Sequence, residues 1–186
     1  MLGGIEMFLR QAMIGFGVFA VMSGAAWAGE LAPRYSQMGQ MQVEMGDEVL
    51  DLVIAYDKEK QRGYATQKMI MGSHLTINSA ARAVDDSGQF ISPMVQVTLQ
   101  QQSGKFKMLS AELYDEQGYD APMAMGADGG KGAVTELTFE NNRLDAVVEG
   151  EFIRLVGYMK GDAKPADGVA PVPVTIRWSV ELAPLK

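Results

Sequence analysis

Apolar and polar residues alternate strictly through the C-terminal segment of the chain. Every even position from Val172 to Leu182 is apolar, whereas positions 175, 177, 179 and 181 are polar. A period of two predicts a β-strand with one buried face and one solvated face. Pro173 falls on the outward set near the start of this strand, where a missing backbone N–H is tolerated. The pattern therefore predicts that Trp178 is a core residue.

A second alternating segment, residues 135–152, predicts a hairpin whose two-residue turn is Asn141 and Asn142. Asparagine tolerates the positive φ angles that such a turn needs. The predicted pairs are Phe139 with Leu144, Leu137 with Ala146 and Thr135 with Val148 on one face, and Glu140 with Arg143 and Thr138 with Asp145 on the other. This register separates apolar from charged positions, so it is consistent with one buried face.

Further strands are predicted between glycine, aspartate and serine turn signals. They are residues 49–56, 64–71, 74–80, 91–100 and 106–114, with one more short strand through Met41, Val43 and Met45. The apolar parity switches near Met108, which predicts a β-bulge there. Residues 126–132 and 160–171 are predicted to be loops. With no helical period in this part of the chain, we expect an all-β fold, either an antiparallel β-sandwich or a closed β-barrel of about eight short strands.

The N-terminal residues have the order of a cleavable signal peptide. Arg10 precedes an apolar core at residues 12–22, and Ala26-Trp27-Ala28 supplies the small residues of a cleavage site. Glycine and serine interrupt an apolar run that is barely long enough to span a bilayer, so an uncleaved anchor is the alternative. A start at Met7 would give a more regular signal, because it removes an acidic residue from the positive region. We expect residues 1–28 to be a signal peptide and residues 29–186 a single β domain, of which 29–48 is a polar leader, in a periplasmic or secreted protein.

Composition narrows the classes of partner. After cleavage, 158 residues remain with 22 acidic and 15 basic side chains, a net charge of −7. An acidic domain without a basic run is a poor nucleic-acid binder and gains nothing from a negatively charged membrane, so we expect no nucleic acid partner and no stable membrane anchor after cleavage. The chain has no cysteine, which removes disulfides, a lipoprotein anchor and a thiol nucleophile.

Met69, Met71 and His74 are the candidate metal ligands. If Gly72 and Ser73 form a two-residue turn, Met71 lies opposite His74. On that register Met69 lies opposite Thr76, Gln67 and Asn78 complete the same face, and Ile70 and Leu75 share the opposite, core-facing side. Two thioethers and an imidazole form a soft ligand set that favours Cu(I) over hard cations. The alternative is that these methionines only fill the core, as adaptable apolar side chains do.

Other chemistry has weaker support in the chain. His74 is the only histidine, and its neighbour Ser73 is too close in sequence to form a base and nucleophile pair. Carboxylates at Asp115, Glu116, Asp120 and Asp128 leave a hydrolase or a Ca²⁺ loop as remote options. We therefore expect a non-catalytic exported protein without a required cofactor, which binds an envelope protein or a small ligand. A Cu(I)-handling protein is the second hypothesis and a carboxylate hydrolase the third.

Overall fold

The alternating segments form antiparallel strands throughout the part of the chain that the structure describes. A computed structural model describes residues 30–126 and 129–185, which form one antiparallel sheet of twelve strands. These residues contain no α-helix, and Tyr158–Lys160 forms a 3₁₀ turn. The all-β, antiparallel prediction is therefore confirmed. The predicted signal peptide at residues 1–28 lies outside the described residues.

The strands exceed the predicted number of about eight because short strands occur beside the long ones. In chain order they are β1 Tyr35–Met45, β2 Glu48–Asp57, β3 Arg62–Gly63, β4 Ala65–Ile70, β5 His74–Val84, β6 Phe90–Gln102, β7 Lys105–Tyr114, β8 Met123–Gly126, β9 Gly132–Glu140, β10 Arg143–Val156, β11 Lys164–Pro165 and β12 Val172–Glu181. The order across the sheet is β3-β2-β1-β12-β10-β8-β7-β6-β5-β4, and β9 and β11 pair with β10. In addition, β2 pairs with β5 through Val53 and Arg82.

The hairpin of β9 and β10 confirms the predicted turn and most of the predicted register. Asn141 and Asn142 have φ angles of 51° and 64°, and Phe139 pairs with Leu144 as expected. One predicted pair is wrong, because Val148 lies opposite Val134 and not Thr135. A register shift at this point adds one residue to β9, which a strict alternation rule does not include.

Several strand boundaries depend on long-range pairing. The predicted short strand at Met41 to Met45 is the end of the eleven-residue β1, which pairs with β2 and β12. The predicted bulge near Met108 is confirmed by a register shift between β6 and β7 beside that residue. The loop predicted at residues 160–171 contains the short strand β11, and the short strand β8 lies just before the loop predicted at residues 126–132.

Large apolar side chains fill the inner side of the sheet. Trp178 is 4% exposed, which confirms its predicted place in the core. The largest fully buried side chains include Phe152, Met41, Ile54, Ile77 and Leu99, contributed by five different strands. No helix in residues 30–126 and 129–185 is long and apolar enough to cross a membrane.

The first described residues are tied to the sheet by an ion pair. The Arg34 guanidinium donates from Nε to the buried Asp57 carboxylate at 3.0 Å, and the backbone N–H groups of Glu59 and Lys60 also donate to it. The hydrogen bond from Arg34 lowers the pKa of Asp57 to about 2. Asp57 therefore stays ionised while it holds the turn after β2.

Candidate functional site

The turn between β4 and β5 carries all three predicted metal ligands. We call residues 68–74 the hairpin tip. Strand β4 ends at Ile70 and β5 begins at His74, and these two residues pair with each other across the hairpin. The loop has three residues, in which Met71 and Gly72 have φ angles of 51° and 70°. The Ser73 N–H donates to the carbonyl of Ile70 at 3.2 Å and closes the turn.

The predicted register of this hairpin is wrong by one residue. His74 lies opposite Ile70 and not opposite Met71, and Met69 lies opposite Leu75 and not opposite Thr76. The predicted two-residue turn consists of Gly72 and Ser73 and excludes Met71, whereas Met71 also adopts a left-handed backbone and lengthens the loop. A shift of one residue moves alternate side chains to the other face of a strand.

The observed register separates the three candidate ligands. Met69 shares a face with Leu75, which belongs to the core, whereas His74 shares the outer face with Ile70. Met71 projects from the loop itself. The Cu(I) hypothesis therefore loses the shared face on which it relied. Cu(I) binding stays a hypothesis that metal titration can test. Within residues 30–126 and 129–185, no group of three or more His, Asp or Glu side chains could hold a metal ion.

Gln67, two residues before Met69 in β4, makes hydrogen bonds to distant parts of the chain. Gln67 shares the core-facing side with Ile77. Its side-chain amide donates to the Asn142 side chain at 2.9 Å and to the Ala183 carbonyl at 2.7 Å. These bonds join β4 to the turn between β9 and β10 and to the chain that follows β12. They hold the base of the hairpin tip in place while its loop projects outward.

Met71 is the most unusual residue of the hairpin tip. Its exposed fraction is 92%, and Met69 and Ile70 beside it are 46% and 40% exposed. A left-handed backbone at a residue other than glycine, asparagine or aspartate is uncommon and costs about 1–3 kcal/mol. Neither the exposed thioether nor the strained backbone stabilises the fold. Gln61 and Ser103 have similar φ angles of 49° and 51° at other turns, so it is the exposure of an apolar side chain on such a backbone that makes the hairpin tip the best candidate for a functional site.

Two of the carboxylates considered for hydrolysis, Asp115 and Asp120, have structural partners. Both oxygens of Asp115 accept hydrogen bonds from the Arg154 guanidinium. Burial raises the pKa of Asp115, but the bonds from Arg154 and from the Gln117 N–H outweigh it and leave the pKa below its ordinary value. Asp120 accepts a hydrogen bond from the Met159 N–H at 3.0 Å. Asp128, also considered in this group, lies outside the described residues.

Glu112 is an ionisable residue that sequence reasoning missed. Its position in β7 places it on the outer face of the sheet, yet it is only 5% exposed. The Tyr158 hydroxyl donates to Oε1 at 3.3 Å, whereas Oε2 has no hydrogen-bond partner among the described residues. Burial raises the pKa of Glu112 above its ordinary value, although Ser110 and Tyr158 act in the opposite direction. Alternation alone predicts a solvated glutamate here. It takes no account of the 3₁₀ turn that carries Tyr158, which is 46 residues away in sequence.

Two open depressions lie on the outer surface of the sheet. One is lined by Gly39, Arg143, Ser179 and Glu181 with neighbouring residues of β1, and the other lies around Glu44 and Glu149. In the first, Arg143 donates to the Ser179 hydroxyl at 2.7 Å and pairs with Asp145. Its arginine thus already has partners within the chain.

Comparisons with protein-family models, with curated proteins and with solved structures found no match to this chain. The exposed residues and contacts of the hairpin tip are therefore the basis for assigning a function.

Proposed function

We propose that this chain is an exported, non-catalytic binding protein that contacts a partner in the cell envelope through the hairpin tip. The observation that carries the proposal is Met71, an apolar residue that is 92% exposed on a strained backbone. Folding alone does not favour this arrangement, because it forgoes burial and adds strain. A partner that covers the thioether would recover the lost burial.

The packing of the interior supports binding at the outer surface. We infer that the sheet closes into a barrel, because β2 pairs with β1 on one side and with β5 on the other. Eight strands then form the ring, and β3, β4, β9 and β11 lie outside it. An eight-stranded barrel is just wide enough for side chains to fill it, and residues such as Phe152, Leu99 and Trp178 occupy its inside. This favours a surface-bound partner over a small ligand held in the interior.

Export is part of the same proposal. The Ala26-Trp27-Ala28 sequence supports cleavage before Gly29 and release of the β domain to the periplasm or the medium. Asp115 and Asp120, which hold structural contacts, support a non-catalytic role. The mass of the exported protein tests the cleavage directly, since retention of residues 1–28 would favour the membrane anchor.

The absence of cysteine from the sequence allows a direct test of the hairpin tip. We would introduce one cysteine as Met71→Cys, or as Val49→Cys in a matched control. Val49 is also an exposed apolar residue, at 55%, but it lies near the turn between β1 and β2. The rate of labelling by a water-soluble maleimide is then compared between cells and purified exported protein.

If a partner covers the hairpin tip, the cysteine at position 71 reacts several-fold more slowly in cells than in purified protein. The cysteine at position 49 should react at the same rate in both. Equal rates for the two variants in cells and in purified protein would refute the proposed function, because the tip would then be free in its own compartment.

A further inference from the structure

We propose that the partner of the hairpin tip is the surface of an anionic lipid bilayer, with Met71 inserted below the headgroups and nearby lysines placed among the phosphates. This inference rests on the proposed function, since it identifies what the tip binds. It describes a reversible surface contact made by the hairpin tip.

The charge of the chain is strongly segregated around this site. Residues 61–84 and 87–111, which contain β4, β5, β6 and the first part of β7, have five arginine or lysine residues. All 23 acidic residues of the chain lie outside these two segments. The net charge of −7 therefore includes two cationic, acid-free stretches, separated by Asp85 and Asp86 in the turn between β5 and β6, at the opposite end of these strands from the hairpin tip. Because the Debye length is about 8 Å at physiological ionic strength, the local charge decides how this face interacts with a charged surface.

Three lysines of these stretches lie on the same end of the sheet as the hairpin tip. Cross-strand pairing aligns Lys68 with Thr76, then with Gln100 and Lys107 on the outer face. Lys105 lies at the start of β7 and pairs with Gln102, at the same end of the hairpin of β6 and β7. Three strand spacings of about 4.8 Å separate Lys68 from Lys107, a distance of about 14 Å.

These lysines are available to an external anion. Lys68, Lys105 and Lys107 are exposed, and none of them forms an ion pair with another described residue. Each lysine near an anionic membrane surface contributes about 1 kcal/mol of binding free energy. Their long apolar stems also let the ammonium groups reach headgroups beside an inserted tip.

The small size of the apolar tip favours a bilayer over a protein partner. Met69, Ile70 and Met71 are three consecutive residues at one loop, whereas a stable protein interface buries about 1,200–2,000 Å² in total. A bilayer needs no matching pocket, because binding at its interface depends on buried apolar area together with electrostatic attraction to anionic lipids. The combination of apolar tip and unpaired lysines thus has the chemistry of an interfacial membrane contact.

Vesicle sedimentation with purified exported protein tests the proposal. The vesicles contain either equal parts of phosphatidylglycerol and phosphatidylcholine or phosphatidylcholine alone. We expect binding to the anionic vesicles, weaker binding to the neutral ones, and a loss of binding as salt is added. Met71→Asn should weaken binding to anionic vesicles about tenfold or more, because it removes the inserted apolar side chain. Asparagine suits the left-handed backbone at this position, so the fold should survive.

Further variants separate the apolar and the electrostatic contributions. Lys105→Gln and Lys107→Gln should each weaken binding about fivefold, and only at low salt. Met71→Leu keeps an apolar tip and should retain binding to within about twofold. Val49→Thr is the control for a general loss of exposed apolar surface, and it should have no effect.

The outcomes distinguish this inference from the proposed function. If no vesicle binds the protein although position 71 is protected from labelling in cells, the lipid proposal is overturned and a protein partner is indicated. If position 71 is also unprotected in cells, the proposed function fails as well. Binding that is insensitive to Met71→Asn, or equally strong on neutral vesicles, would also overturn the lipid proposal.

Discussion

Replacing the buried Glu112 with glutamine should stabilise the protein. Glutamine has nearly the same shape and keeps an oxygen that can accept the hydrogen bond from the Tyr158 hydroxyl. It removes a carboxylate whose Oε2 is buried without a hydrogen-bond partner among the described residues. An unsatisfied buried polar group costs about 1–3 kcal/mol, and the cost is greater for a charge. The amide nitrogen that replaces Oε2 is also without a partner there, so only the additional cost of burying the charge is removed, and Glu112→Gln should raise the free energy of unfolding at neutral pH by no more than about 1–3 kcal/mol.

The effect must depend on pH with a definite sign. Burial raises the pKa of Glu112 in the folded state above its ordinary value of 4.5. An acid with a raised folded pKa contributes stability that is complete below the unfolded pKa and is lost as pH rises through the folded pKa. The difference between the variant and the parent should therefore be small below pH 4.5 and grow as pH increases above it.

Urea melts followed by circular dichroism, at a series of pH values, measure this difference. Each 1 kcal/mol corresponds to about 2–4 °C in the melting temperature of a domain of this size, so thermal melts provide a second readout. Glu149→Gln is the matched control, because Glu149 is exposed on β10 and the change should stay within about 0.5 kcal/mol. A Glu112→Gln variant that is less stable than the parent at pH 8, or a difference independent of pH, would refute the reasoning.

Three further predictions concern the core, an ion pair and the metal hypothesis. Trp178→Ala should lower the free energy of unfolding by about 3–5 kcal/mol in denaturant melts, whereas Thr138→Ala, at an exposed outward position, should change it by no more than about 0.5 kcal/mol. Asp57→Asn should make stability less dependent on pH in acid, because the parent loses the stability of its arginine pair as pH falls from the ordinary pKa of 3.8 to about 2. Acid titration followed by circular dichroism measures this. If variant and parent unfold over the same pH range, the prediction is wrong. The Cu(I) hypothesis predicts that a Met69→Leu, Met71→Leu double variant loses metal binding but not its fold, and identical titrations of variant and parent against a Cu(I) chelator would end it.

Local sequence rules determined the fold class and the best-defined hairpin. The alternation from Val172 to Leu182 identified the buried face of β12 because the side-chain period of a strand is two. The turn at Asn141 and Asn142 was predictable because few residues tolerate its positive φ angles. Both features depend on neighbours within a few residues, so the sequence was sufficient for them.

The sequence predicted which residues the hairpin tip contains, but not which face each of them occupies. The sequence indicated that Met69, Met71 and His74 are close together, but one extra left-handed residue in the loop placed them on different faces. Turn length depends on the balance between local strain and the pairing of the whole hairpin. The hydrogen bonds of Gln67 to Asn142 and Ala183, which lie more than 70 residues away in sequence, contribute to the pairing of this hairpin.

Only the tertiary structure decided which outward positions are exposed. Glu112 and Lys107 both belong to the outer face of β7, yet one is buried and the other is solvated. The difference arises because a distant turn carrying Tyr158 covers one end of β7, whereas nothing among the described residues covers the lysine. Alternation along a strand specifies the direction of a side chain, but burial depends on what the rest of the chain packs against it.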